Sequence, residues 1–551
     1  LVLLLLVAVV VSGGPAPLSA QVAPAGDSTV QTARTLIRAG RMGDAAALLQ
    51  RIVERDPEDA RAWYLLGYAL HQAGDLDGAL EADLRAARFP ETAPTAMYNA
   101  AMAYARKGDV DEAFRWLFRA REAGMDVTSA AGDPDAETLR DDVRWGRLFP
   151  TSAELADPFE EPVQVIREWR GEDAGDQFGW IARNAGDVDG DGVMDVVTSA
   201  PTHRNGAGAV YVYSTGTGAL LWRHVGRADE QLGLGVEAAG DVDGDGHPDV
   251  VAGAPRADRV YVLSGPDGRL LLRLEGTEGE SFGRRAAGVG DVDGDGHADI
   301  LVGRPANDEA GEDAGAATLF SGVDGRPLGE LRGEEAGDAF GSSLAGETRE
   351  GETVLVVGAP AAGPGDRGRV YVYDGDGELR FRIEADGTGV ALGRMFSSVV
   401  GDVDGDGGDD VYASDWSNDA LGPSTGRIYV HSGADGRRLL TLTGEAAGDG
   451  FGIGTAEAGD LDGDGRDDLV VGAWQHGGGA PGGGKVYLFS GADGRLLRSV
   501  TGKVMGETFG FDATGLGDVD GDGAPDLLLT SAWSAVNGPR SGRVWVLSGR
   551  W

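Results

Sequence analysis

Two regimes of hydrophobic patterning divide this chain. Between residues 26 and 121 apolar positions recur at the spacing of helix faces, with a fixed period of 34: Gly40, Gly74 and Gly108 stand 34 apart, as do Ala45, Ala79 and Ala113. A glycine just past a helix end takes the left-handed conformation without steric cost, and a small alanine lets the next helix pack closely on the first. The pattern predicts three helix-turn-helix repeats over 26–121. Residues 122–150 are expected to supply a helix that caps the array, because an open end would leave an apolar face in water. Residues 151–162 read as a linker.

Beyond them, apolar residues come in short β-rich runs separated by Gly and Asp, at intervals of about fifty to sixty residues. A Phe or Leu followed by Gly opens each interval, at Phe178, Leu232, Phe282, Phe340, Leu392, Phe451 and Phe509, which makes seven units. Each unit reads as four strands. In the second they are the run from Leu232 into an acidic loop, then Asp249 to Gly253, Arg259 to Ser264 and Arg269 to Leu274. The turn Pro266-Asp267-Gly268 has hairpin chemistry. The seventh unit reads as only three strands, and the strand-like segment Val163 to Trp169 ahead of the first unit is left over. That N-terminal strand is expected to close the last blade, giving a seven-bladed β-propeller over 163–551 without free edges. The predicted fold is an all-α helical-repeat domain followed by an all-β propeller.

Six units carry the same acidic loop, Gly-Asp-x-Asp-Gly-Asp-Gly-x-x-Asp, with acids at positions 1, 3, 5 and 9. The sets are Asp187, Asp189, Asp191 and Asp195; Asp241, Asp243, Asp245 and Asp249; Asp291, Asp293, Asp295 and Asp299. They continue with Asp402, Asp404, Asp406 and Asp410; Asp460, Asp462, Asp464 and Asp468; Asp518, Asp520, Asp522 and Asp526. Alternating carboxylates bent together by glycines converge on one hard cation, and calcium suits them best. A backbone carbonyl at position 7, such as that of Val193, would complete the first set. Magnesium fits less well, since its octahedral demand favours fewer protein ligands and more water. An EF-hand would need a Glu at position 12, where this chain has Thr198, Ala252, Val302, Ala413, Val471 and Leu529. The alternative, tight Asp-Gly turns that bind nothing, leaves four like charges in one loop to repel each other. The fourth unit replaces the acids with Gly346-Glu347-Thr348-Arg349-Glu350, so six structural calcium sites are expected.

Two family resemblances follow. Trp63, Leu66, Gly67, Ala79, Ala86 and Pro90 resemble the tetratricopeptide repeat, and Tyr104, Ala113 and Ala120 echo it in the third copy, as Ala45 and Pro57 do in the first. That resemblance implies a concave groove for a peptide or a partner helix. The order Phe-Gly, then Asp-x-Asp-x-Asp-Gly-x-x-Asp, then Gly253-Ala254-Pro255 is similar to the FG-GAP repeat of the integrin α-chain propeller. It implies seven blades with calcium in the hairpin loop between the first and second strands. The stalk, membrane span and tail of an integrin chain have no counterpart here, so integrin signalling does not carry over.

Composition narrows the function. A net charge of -42, which six divalent ions would bring only to about -30, argues against nucleic acid or anionic lipid as a partner. With no cysteine there is no disulfide, thiol nucleophile or cysteine-bound metal. Leu1 to Val11 is an apolar run followed by small residues up to Ala20, which reads as a secretory leader over 1–20 with a truncated start. It is too short to span a bilayer, and no other run approaches that length. A secreted, periplasmic or cell-surface location is expected.

Trp416, Trp474 and Trp533 stand where earlier units carry Pro, each opening a polar loop on the rim away from the acidic loops. With Asn418, Gln475 and Asn537 nearby they would suit a sugar or protein ligand; alternatively, each plugs the space beneath its own loop. The leading reading is a calcium-binding interaction or adhesion protein that uses both its propeller and its helical arm. The alternative is a polysaccharide-active lyase or hydrolase with its site on the propeller face. No catalytic motif singles out a residue for that second reading, and the seven histidines are scattered.

Overall fold

The computed structural model describes residues 29–349 and 351–550 and divides the chain into two compact units that meet between Phe149 and Pro150. The leader expected over 1–20 lies outside the described residues. No described helix is long and apolar enough to cross a membrane.

Among its described residues the first unit holds six α-helices, α1 (Val30–Arg38), α2 (Met42–Arg55), α3 (Ala60–Ala73), α4 (Leu76–Ala86), α5 (Ala93–Arg106) and α6 (Val110–Glu122). They form three pairs. Gly40, Gly74 and Gly108 sit at the three turns with φ of 68°, 86° and 80°. In each turn the next N–H reaches back to close the first helix: Arg41 to the Leu36 carbonyl, Asp75 to Leu70 and Asp109 to Tyr104, at 2.9–3.0 Å. These bonds satisfy carbonyls the helix end would orphan. Asp59, Asp75 and Asp109 cap α3, α4 and α6, each accepting from a backbone N–H in the first turn. Ala45, Ala79 and Ala113 are wholly buried where the paired helices meet.

The segment expected as a capping helix folds as three short 3-10 helices rather than one continuous helix, Val127–Gly132, Pro134–Leu139 and Trp145–Leu148. The reason is local. Asp126 and Asp133 cap the first two by accepting from the Thr128 and Asp135 N–H groups, each at 2.9 Å. Pro134 keeps Asp133 extended (φ -86°, ψ 119°), which stops a continuous helix. The turns still cover the array, burying Val127, Ala130, Ala136, Leu139 and Leu148.

The second unit is a seven-bladed β-propeller, each blade a four-stranded antiparallel sheet. The innermost strands are Ala182–Gly186, Val236–Gly240, Ala286–Gly288, Ser343–Arg349, Ser397–Val400, Phe451–Gly459 and Ala513–Gly517, and each contacts the next around a closed ring. In blade 7 the outermost position is filled by Val165–Arg170, paired antiparallel with Arg543–Leu547. In blade 4 Ser343–Arg349 and Glu352–Ala359 pair along their whole length, so a tight hairpin stands where the others have an acidic loop.

The Phe-Gly steps lock neighbouring blades together. Phe178, Leu232, Phe282, Phe340, Leu392, Phe451 and Phe509 are all buried, and most bridge to a glycine of the preceding blade. Gly208, Gly315, Gly368, Gly426, Gly484 and Gly542 take φ between 79° and 93° there. A Cβ at any of them would lie 2.0–2.3 Å from backbone of the incoming Phe or Leu. At the remaining junction Asp258 takes φ 47°, and its carboxylate accepts the Phe282 N–H at 3.0 Å. Aspartate tolerates that conformation better than most side chains.

Residues 151–162, expected as a linker, pack on the propeller. Ser152–Leu155 is one helical turn closed by a capping box at Thr151 and Glu154. Phe159 then sits 4.8 Å from the Phe509 ring and 5.5 Å from Trp545, and Glu161 accepts the Thr501 N–H at 2.6 Å. An apolar ring and a charged acceptor in a segment of mixed composition were enough to anchor it.

Candidate metal loops

Each acidic loop is a coil of backbone N–H groups wound around its own carboxylates. In the first, Gly190 and Gly192 take φ of 76° and 88°. Asp187 Oδ1 accepts from the Gly190 and Asp191 N–H groups (2.8 and 3.0 Å), and its Oδ2 accepts from Gly192 (2.9 Å). Asp189 accepts from Asp191 (3.1 Å) and Asp191 from Val193 (2.9 Å). The same position 1 bonds recur in all six loops.

The winding gathers carboxylates. Asp187, Asp189 and Asp195 each offer an oxygen within 4.8 Å of the others, as do Asp241, Asp243 and Asp249, and Asp402, Asp404 and Asp410. In two loops the trio is instead positions 1, 3 and 5: Asp291, Asp293 and Asp295, and Asp460, Asp462 and Asp464. Positions 1 and 3 are thus common to these five loops, with position 5 or 9 completing the set. Hard carboxylate oxygens gathered this closely fit calcium.

Position 9 does more than lend an oxygen. Asp195, Asp249, Asp299, Asp410, Asp468 and Asp526 are buried. Asp195 Oδ2 accepts from Val188 (3.0 Å) and Asp189 (3.3 Å), while Oδ1 accepts from Thr215 (3.0 Å) in the turn between the third and fourth strands. Equivalent bonds reach Gly265, Gly322, Gly433, Gly491 and Gly549. Burial pushes the position 9 carboxyls up, to about 6 at Asp195 and Asp249 and about 7 at Asp410, against the pull of these N–H donors. The nearby position 3 aspartate adds to the rise, and a divalent cation would reverse it.

Four arginines went unread in the sequence. Arg326, Arg437 and Arg495 reach from the turn between the third and fourth strands to the position 3 aspartates Asp293, Asp404 and Asp462 at 2.5–2.9 Å, and Arg269 pairs with Asp243 in the same way. Their signal was present as Asp-Gly-Arg, in Asp267-Gly268-Arg269 and its repeats. Each removes part of the like-charge repulsion in its loop.

The tryptophans do not form an exposed face. Trp416, Trp474 and Trp533 are 5%, 0% and 7% exposed. Trp474 stands edge-on to Trp533 at 5.0 Å and to Phe511 at 5.4 Å, and the Arg540 guanidinium covers Trp533 at 4.3 Å. A Cβ on Gly450 would lie 2.4 Å from the Trp474 indole nitrogen, so its loop closes directly over the ring. Burial of apolar area prevails over exposure.

Comparison with known proteins agrees with this architecture. The tetratricopeptide repeat family matches residues 30–94, the FG-GAP repeat family 178–213, and the FG-GAP-like repeat family 241–302 and 460–529. The chain is 32% identical over 208 residues to integrin alpha-5 of Xenopus laevis, covering 34% of this chain and 19% of the integrin. It is 33% identical over 194 residues to integrin alpha-IIb of Homo sapiens, covering 32% and 18%. The match therefore spans less than a fifth of those relatives' length. Among solved structures, the V. cholerae biofilm matrix protein Bap1 aligns with a TM-score of 0.40 and 14% identity, over 71% of this chain and 91% of that one. By fold this chain is a helical-repeat unit followed by a seven-bladed β-propeller, with tetratricopeptide-repeat and FG-GAP-repeat matches over those residues and a likeness to integrin α chains in part of the propeller.

Proposed function

We propose that the protein is an extracellular or cell-surface interaction protein of the adhesion type. Its propeller is stiffened by calcium in the acidic loops and meets a protein or glycan ligand. The helical unit offers its groove to a peptide or helix. The observation that carries the reading is the set of loops in which positions 1 and 3, with 5 or 9, bring three carboxylates within 4.8 Å, on a propeller similar to that of integrin α chains.

In this reading calcium is structural, one ion for each of six loops. The loops join first to second strands, so each ion would tie the inner hairpin of its blade, through position 9, to the turn between the outer strands. Ligand contact then belongs to the opposite rim, where the loops between second and third strands lie. The experiment is calorimetric melting of the whole chain with calcium and with chelator, followed by a screen of glycans and surface proteins in both conditions. Melting should rise with calcium, by the equivalent of about 2.7 kcal/mol per site at a hundredfold excess over Kd. Indifference of both melting and binding to chelation would overturn the metal assignment. Product release from the glycans would move the reading to the enzyme alternative.

A further inference from the structure

The axial channel of the propeller carries a charge arrangement that the calcium loops do not explain. The inner strands enclose a cavity of about 280 Å³ lined by Arg183, Glu237, Arg285, Phe396, Tyr412 and Glu457, among others. Arg183 and Arg285 lie at the start of their inner strands and the acidic loops at the end, so this is the channel mouth opposite the calcium rim.

Arg183 is neutralised there. It pairs with Glu237 of blade 2 at 3.0 Å and with Asp512 of blade 7. Arg285 is not. Its Nε donates to the Met395 carbonyl (3.4 Å) and its Nη1 to that of Leu234 (2.8 Å), which fixes the guanidinium across three blades against the Phe396 ring (5.5 Å). Among the described residues it forms no ion pair, and its Nη2 has no acceptor. The Arg284 side chain is exposed and forms neither an ion pair nor a hydrogen bond among the described residues, while its backbone carbonyl accepts from Arg285 Nη1 at 3.3 Å. Arg394 lies near enough to repel Arg284, and Arg284 and Arg183 repel Arg285. Burial, reinforced by those neighbours, pushes Arg285 down to about 9.

Among the described residues Arg183, Arg284 and Arg285 share only Glu237 and Asp512, and a half-buried arginine within that surplus is electrostatically costly unless something further answers it. We infer that this mouth is an anion-binding site that takes a small oxyanion, a carboxylate or a sulfate group, end-on into the channel. Guanidinium forks match the planar or trigonal faces of such groups and bind them through paired N–H donors. Arg285, whose Nε and Nη1 are taken by the Met395, Leu234 and Arg284 carbonyls, keeps Nη2 as a pre-set donor, and Arg284 closes over the entrance with its own uncommitted fork. Fixing the donors in advance lowers the ordering cost of binding. The acidic exterior repels anions elsewhere, so the mouth is a local reversal of sign. The inference goes beyond the reading above and stands on geometry that is independent of the calcium loops.

The test is isothermal titration of the whole chain, with calcium saturating and ionic strength held constant with chloride, using glutarate as the carboxylate probe and sulfate as the second. Saturable binding near one site per chain is expected for at least one probe. Arg284→Glu, an exposed side chain without partners, should weaken that binding by about tenfold or more, as loss of a charge-assisted contact does. Arg380→Glu, exposed on an outer strand of blade 4, should leave it unchanged. The inference is overturned if neither probe binds saturably, if Arg284→Glu binds as the parent does, or if Arg380→Glu loses as much.

Discussion

Asp83 shows how strongly one residue can depend on its surroundings. It lies on α4 against Gly67, and both its carboxylate oxygens are buried without a hydrogen-bond partner. Burial raises its pKa well above the ordinary 3.8. Its native form therefore holds a proton that the unfolded chain gives up above that value. The unfolded state binds fewer protons there, so stability of the helical unit falls as pH rises from about 4 until the folded-state pKa is passed. Asp83→Asn should flatten that slope and slow hydrogen exchange in α3 and α4 at neutral pH, which exchange mass spectrometry on the whole chain can read. A variant whose exchange keeps the parent's pH dependence would count against a protonated Asp83. The acidic loops hold two kinds of aspartate as well. Asp299 is buried and accepts three backbone N–H groups, whereas Asp295 is exposed. Asp299→Ala should cost on the order of 3 kcal/mol in thermal melts even with chelator present, because it orphans buried donors. Asp295→Ala should weaken calcium binding while moving the chelated melt by only about 0.5 kcal/mol.

Elements were legible in the sequence to the extent that a strict repeat marked them. The 34-residue period located the helix pairs because Gly40, Gly74 and Gly108 need left-handed backbone that other residues resist. The count of Phe-Gly and Leu-Gly steps located seven blades because each large apolar side chain must fill the gap between neighbouring sheets. Where no repeat acted, the reading failed. The 3-10 turns over 127–148 are set by two aspartate caps and one proline, and the anchored segment 151–162 by a ring that finds a pocket only after the propeller exists. The junction glycines allow a direct check. Gly484→Ala places a Cβ 2.1 Å from the Phe509 carbonyl at φ 83°, whereas at Gly463, with φ 79°, nothing lies within 4 Å. The first should destabilise the propeller by on the order of 3 kcal/mol and the second by only about 1–2 kcal/mol, the left-handed backbone term alone. Equal losses in denaturant melts would show that the close approach carries no weight.

At the scale of the whole molecule, the propeller is a ring whose last sheet is made from both ends of its own segment. Val165–Arg170 covers Arg543–Leu547, and Arg543 is held further by Glu168 at 2.9 Å and by the Leu155 carbonyl at 2.9 Å. Removing residues up to 171 should expose an unpaired edge and split the single calorimetric transition of the propeller, or lower its midpoint sharply. An unchanged transition would mean that the ring closes without that strand. The sequence by itself determined the repeat counts, the helical-then-β order and the carboxylate loops, because those rest on local backbone demands that recur at fixed spacing. Tertiary structure alone decided that the tryptophans are buried, that arginines answer the position 3 aspartates, and that Arg183, Glu237 and Arg285 line one channel mouth. Those outcomes depend on residues tens to hundreds of positions apart being brought to one axis, and no local pattern in the chain records that distance.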